Sequence, residues 1–176
     1  MCSSDLVFVP DACVVGEENA GWRLARTTLG NERVSMGTGM HGGRTDLAAL
    51  ARPHLDAAPD LVLSELGALT ARAYALEAMS RRALLRALSG VQPDAAASVL
   101  KVVASWQVLE VARTVLGWQS SGAAVVTGEH RIEPNDLSPE GATQRYLSTP
   151  PQLIGGGTSE IQLNVISEQV LGLPRG

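Results

Sequence analysis

The 176-residue chain is long enough for one domain with a proper buried core, and a composition 45% hydrophobic but only 3% aromatic requires that core to be built from Leu, Val, Ala and Ile, as in helix bundles. A formal net charge of -4 with scattered arginines gives no electrostatic basis for nucleic-acid binding, and two cysteines, Cys2 and Cys13, are too few for a disulfide framework and lack metal-ligand spacing. No apolar run approaches membrane length, and Met1-Cys2-Ser3-Ser4-Asp5 has neither the basic nor the apolar region of a leader, so a reduced, cytoplasmic setting without membrane insertion is expected.

In chain order, Leu6-Val7-Phe8-Val9-Pro10 is a short β-branched run that predicts one strand, closed by Pro10 and Asp11. A lone strand is not stable without partners, so it is a stray edge or the last strand of a sheet outside this chain. Glu17-Glu18-Asn19 then precedes Trp22, Leu24, Ala25, Leu29, Val34 and Met36, a helix with negative charge at its start, broken by Gly37, Gly39, Gly42 and Gly43. A second helix is predicted from Pro59-Asp60 to Ser89-Gly90, with Val62, Leu66, Leu69, Ala73 and Leu76 on one face. Pro93 and Asp94 open a third, in which Val99, Val102, Val103, Trp106 and Leu109 repeat at helical spacing; apolar residues surround them, so this helix is expected to be central, and Gly117 ends it. Ser120 to Gly141 reads as a long polar connection. Gly155-Gly156-Gly157 then hands the chain to a last helix, with Ser159 and Gln162 at capping-box spacing and Gly172 before Pro174 as its stop. The unpaired N–H groups of such a start suit an anionic or carbonyl oxygen ligand, although a loop and a well-capped helix account for the same residues.

The candidate chemistry centres on one carboxylate. Glu32, in Leu29-Gly30-Asn31-Glu32-Arg33-Val34, shares a helical face with Thr28, Leu29 and Ser35, a semi-apolar setting of the kind that raises a carboxyl towards useful base strength. Spacing alone favours the plainer reading, a solvated helix charge. Arg33 either positions a ligand or contacts a neighbouring acid. Trp22 and Trp106 fall on the apolar faces of their helices and are expected in the core. His41, His54 and His130 are separated, without metal spacing or a nucleophile motif, and Ser120-Ser121 lacks the glycines of a nucleophile elbow.

Two stretches are more specific together. Val9-Pro10 through Val14-Val15-Gly16-Glu17-Glu18-Asn19-Ala20-Gly21-Trp22, followed by Leu29-Gly30-Asn31-Glu32-Arg33, resembles acyl-CoA dehydrogenases where their middle β-domain passes into the C-terminal helical domain. Gly156-Gly157-Thr158-Ser159-Glu160-Ile161-Gln162 with Leu171-Gly172-Leu173-Pro174-Arg175 resembles the end of the same family. The resemblance implies an all-α, four-helix-bundle-like C-terminal domain over residues 17–176, preceded at 1–16 by a remnant strand of the β-domain. It implies FAD, an acyl-CoA substrate desaturated between its α and β carbons, and electron-transfer flavoprotein or a similar acceptor. A carboxylate takes the α proton while the β hydrogen leaves as hydride, and polarising the thioester carbonyl makes that proton acidic.

Many members of the family carry this base directly before the Gly-Thr of the last stretch, where this chain has Gly156. A second group, similar to isovaleryl- and long-chain acyl-CoA dehydrogenases, carries it on the earlier helix with a small residue at the later site. Glu32 with Gly156 matches that pairing, so the resemblance assigns Glu32 as the base. It further implies that the Gly156 N–H meets the thioester oxygen, that Thr158 and Glu160 contact FAD, and that Arg33 lines the acyl site. Two departures stand out: no Arg-x-x-Phe-Gly motif occurs between Gly37 and Asp60, and the family's Gln-x-x-Gly-Gly stretch appears as Thr114-Val115-Leu116-Gly117-Trp118. Both bear on FAD contacts between subunits, which leaves open a homo- or hetero-oligomer in which this chain is a non-catalytic oligomerisation or partner subunit. An acyl-CoA oxidase is a related alternative. As an isolated fragment the chain is expected to be inactive.

Overall fold

The computed structural model describes residues 7–37, 45–91, 95–119 and 136–174. These form α1 (Gly21–Gly37), α2 (Leu47–Ala51), α3 (Pro59–Leu88), α4 (Ala96–Trp118), α5 (Pro139–Leu147), α6 (Pro150–Ile154) and α7 (Ser159–Gln169), with single 3-10 turns at Asp11–Cys13 and Arg52–His54. The fold is all-helical and four-helix-bundle-like: α4 is the central rod, with α1, α3, α5, α6 and α7 packed against it. The expected central position of the third predicted helix is therefore found.

Local chemistry explains most boundaries. Asn19 adopts a left-handed φ of 65° two residues before α1, turning the chain towards the helix. Pro59 sits in the first turn of α3, where its missing N–H costs nothing. Asp46 caps α2 by accepting from Ala49 N at 2.9 Å, and Ser138 caps α5 by accepting from Gly141 N at 3.0 Å. The short helices α2, α5 and α6 were not expected; α5 and α6 begin with proline, a start signal easily read as loop. Pro93, Asp94, His41, His130 and Ser120-Ser121 lie outside the described residues.

Two expectations are corrected. Val7, Phe8 and Val9 are exposed, with no strand among the described residues; a β-branched run without a partner strand has no ladder to complete. Trp22 and Trp106, expected in the core, are 75% and 52% exposed, because no element among the described residues covers the faces they occupy.

The buried side of α4 divides in two. Its C-terminal half supplies Val111 and Val115 to an apolar cluster with Leu50, Leu69 and Ala142, so α2, α3 and α5 all meet there. Trp118 fastens this end, donating from Nε1 to Glu65 on α3 at 2.6 Å, and its ring lies 5.8 Å from that of His54. Its N-terminal half buries Ser98, Lys101 and Ser105 among Ala97, Leu100 and Val102. Gln107, between the halves, donates to the Leu69 carbonyl at 2.9 Å and ties α4 to α3. Only Val62 and Leu69 of the 30-residue α3 are buried. That helix is about 45 Å long, and its far end exposes Leu84, Leu85 and Leu88.

Candidate active site

Polar side chains from the N-terminal half of α4 reach the junction between α6 and α7. Gly155 ends α6 in an extended conformation, and Gly156 and Gly157 follow with φ of 69° and 102°. Both positive values lie where L side chains are disfavoured, so glycine is favoured at these positions. At Gly157 a Cβ would also lie 2.6 Å from Gln162 Nε2, so that side chain would have to shift.

Three side chains gather the carbonyls of this turn. Ser105 Oγ shares its proton between Lys101 O at 2.8 Å and Gln152 O at 3.1 Å. Lys101, wholly buried, donates from Nζ to Leu153 O at 3.0 Å. Gln162, also wholly buried, donates from Nε2 to Gly156 O at 2.7 Å. Carbonyls at the end of a short helix, buried against a bundle, would otherwise be costly to leave unpaired.

The start of α7 differs from the expected capping box. Thr158 is the N-cap, and its side chain accepts from Ile161 N; Gln162 turns inwards to Gly156 and not back to the cap. Ser159, freed from capping, accepts from the indole N–H of Trp106 at 3.3 Å. Glu160 is exposed. Hydrogen bonds from its own backbone N–H and from Thr158, with some help from Lys101, hold its carboxyl below the usual glutamate range.

Gly156, Thr158 and Glu160 thus come together at one junction. Glu32 lies half-buried on α1, and α1 and α7 are both packed against α4. Arg33 is the next residue of α1, and its side chain lies outside the described residues. The stretch Thr114-Val115-Leu116-Gly117-Trp118 forms the last turns of α4 and serves packing, with Val115 in the apolar cluster and Trp118 bonded to Glu65.

Lys101, Ser105 and the inward role of Gln162 were not anticipated. A signal existed: Ser98, Lys101 and Ser105 repeat at three- and four-residue spacing within an otherwise apolar helix, a polar stripe on one face. Among the described residues, no group of three His, Cys, Asp or Glu side chains is placed to hold a metal ion, and no helix is long and apolar enough to cross a membrane.

Residues 19–171 match the sequence profile of the acyl-CoA dehydrogenase C-terminal domain. The chain is 38% identical over 174 residues to the acyl-CoA dehydrogenase FadE34 of Mycobacterium tuberculosis, a match covering 97% of this chain and 22% of that protein. It is 33% identical to the acyl-CoA dehydrogenase IpdE1 of the same organism, over 96% of this chain and 44% of that protein. The IpdE1 of Mycolicibacterium smegmatis is likewise 33% identical, with 42% of its length covered. Among solved structures, a steroid ACAD variant, Tcur3481-Tcur3483, superposes with a TM-score of 0.76 at 25% identity, over 96% of this chain and 44% of that one. The chain therefore spans less than half the length of these relatives.

Proposed function

Since the chain belongs to the acyl-CoA dehydrogenase family, as its C-terminal helical domain, we propose that it forms the helical wall of a flavin site at which an acyl-CoA thioester is desaturated between its α and β carbons, with Glu32 as the base. The observation that carries this reading is the backbone at Gly156. A φ of 69° is a poor place for the glutamate that many family members carry there, because a side chain in the left-handed region costs about 1 kcal/mol or more. The carboxylate must then come from elsewhere, and Glu32 is half-buried on a helix packed against the same rod as the junction.

In this reading Glu32 takes the α proton onto a carboxylate oxygen, the Gly156 peptide meets the thioester oxygen and favours the enolate-like charge that develops there, and Arg33 lines the acyl site. FAD, when bound, supplies the hydride acceptor for the β hydrogen. The junction fits such a group on chemical grounds: the carboxylate of Glu160 and the hydroxyl of Thr158 stand together at a helix start, where they suit the hydroxyl and amino donors of a flavin cofactor. Electron-transfer flavoprotein or a similar acceptor would then reoxidise the flavin, in a cytoplasmic enzyme.

The exposed Trp22, Leu84, Leu85 and Leu88 favour a surface covered by domains of the kind its longer relatives contain or by further subunits, so the chain works within a homo- or hetero-oligomer and is inactive alone. The same exposure supports the second reading, a partner subunit that keeps the bundle for assembly only. Glu32→Gln in the flavin-loaded assembly separates them. Loss of turnover by at least about a hundredfold with folding and flavin content retained is expected; unchanged turnover with an acyl-CoA and an artificial electron acceptor sinks the base assignment. Rapid reaction of the reduced enzyme with oxygen would identify an oxidase in place of a dehydrogenase.

A further inference from the structure

Two consecutive left-handed glycines make a loose turn. Glycine loses more backbone freedom on ordering than any other residue, and Gly156 and Gly157 lie where the proposed chemistry demands a fixed peptide. Something must hold them. The peptide joining them is gripped at both edges: its carbonyl, on Gly156, accepts from Gln162 Nε2 at 2.7 Å, and its N–H, on Gly157, donates to Ile154 O at 3.1 Å. The preceding residue is tied as well, since Gly155 N donates to Pro151 O at 2.9 Å. The peptide between Gly155 and Gly156 is therefore bracketed by two held peptides, which narrows the conformations open to it.

Packing alone does not account for Gln162. The side chain is wholly buried, and its Oε1 has no hydrogen-bond partner among the described residues. An unsatisfied buried acceptor costs about 1–3 kcal/mol, which a methionine of similar shape would avoid. The retained donor has one recipient, the Gly156 carbonyl. Gly157 is shaped around it, because any Cβ there would strike the same Nε2.

We propose that Gln162 is a positioning residue for thioester polarisation: its buried carboxamide locks the left-handed Gly156–Gly157 turn so that the Gly156 peptide is aimed at the substrate carbonyl. This rests on the dehydrogenase reading for its substrate, while the clamp itself is a property of this chain. Polarisation strengthens as the α proton leaves, so a mis-aimed peptide lowers kcat more than it raises KM.

The test uses Gln162→Met, which keeps the volume and removes the donor, and Gln162→Asn, which keeps the amide and withdraws it from Gly156. The first readout needs no cofactor: in the flavin-free chain, exchange of the Gly157 amide should accelerate at least about tenfold in both variants. The second is the infrared stretch of a carbonyl labelled with carbon-13 in the enoyl-CoA product of whichever straight, branched or ring-bearing acyl-CoA the assembly turns over fastest. Its shift to lower frequency on binding should fall by at least half. Turnover should fall about 10- to 100-fold, with KM changed less than about threefold. Wild-type exchange, carbonyl shift and kcat in either folded variant overturn the proposal, and so does failure of both variants to fold, which would make Gln162 purely structural. If the wild-type assembly desaturates no acyl-CoA, the dehydrogenase reading fails separately, and the Gly157 exchange still decides whether Gln162 holds the turn.

Discussion

Lys101 Nζ lies 3.0 Å from the carbonyl oxygen of Leu153, and the lysine that makes this bond is wholly buried in the central helix of the bundle. The bond joins α4 to the last turn of α6, immediately before the glycines, and so determines where the candidate site stands relative to the rest of the fold. Lys101→Ala removes both the donor and the volume. We expect a loss of about 2–4 kcal/mol of stability, read as a lower urea midpoint. Lys101→Met, which restores most of the volume, should recover at least about half of that loss.

Gly157 holds a φ of 102° and has Gln162 Nε2 where a Cβ would stand. Gly157→Ala should therefore cost about 1–3 kcal/mol by thermal unfolding, from backbone strain and displacement of Gln162 together. A neutral result would show that the turn relaxes freely.

Trp118 fastens the opposite end of α4 through Glu65 and the ring of His54. Trp118→Phe keeps an aromatic ring but loses the donor to Glu65, leaving a part-buried carboxylate oxygen without its indole partner. The expected cost is about 1–2 kcal/mol in a denaturant melt. The site at the other end of α4 should be undisturbed, so exchange at the Gly157 amide should not change.

Glu160 gives a pH signature. Its folded carboxyl is held below the ordinary glutamate range, chiefly by its own backbone N–H and by Thr158. A depressed carboxyl contributes stability that is present in full above its unfolded value and is lost as pH falls through the folded value. Glu160→Gln should therefore lower the thermal midpoint at neutral pH, with the gap to wild type closing only on acidification below the ordinary glutamate range. A pH-independent gap would mean that the side chain acts through packing and not through its charge.

The helices were legible where a single face carried the pattern. Val62, Leu66, Leu69, Ala73 and Leu76 recur at the period of a helix, and α3 buries Val62 and Leu69 on that face. Proline and glycine marked where the long helices stop. The short helices were not legible, because five residues such as Pro150–Ile154 give too few turns to show a period. Trp22 and Trp106 misled for a different reason: their spacing reported an apolar face correctly, but no element among the described residues covers that face. Thr158 and Ser159 are adjacent and either can cap a helix, so the capping residue was settled only when Ser159 proved to accept from Trp106.

The sequence by itself determined that the chain is a helical domain, that its motifs are those of acyl-CoA dehydrogenases, and that the usual carboxylate is replaced by Gly156, since periodicity and residue identity are local properties. Only the tertiary structure decided what the buried polar groups do. Lys101, Ser105 and Gln162 are 61 positions apart at most along the chain, and nothing in their local spacing relates them to Gln152, Leu153 and Gly156. Leaving a buried donor without an acceptor is costly, and which carbonyls Lys101, Ser105 and Gln162 find depends on how α6 and α7 are laid against α4.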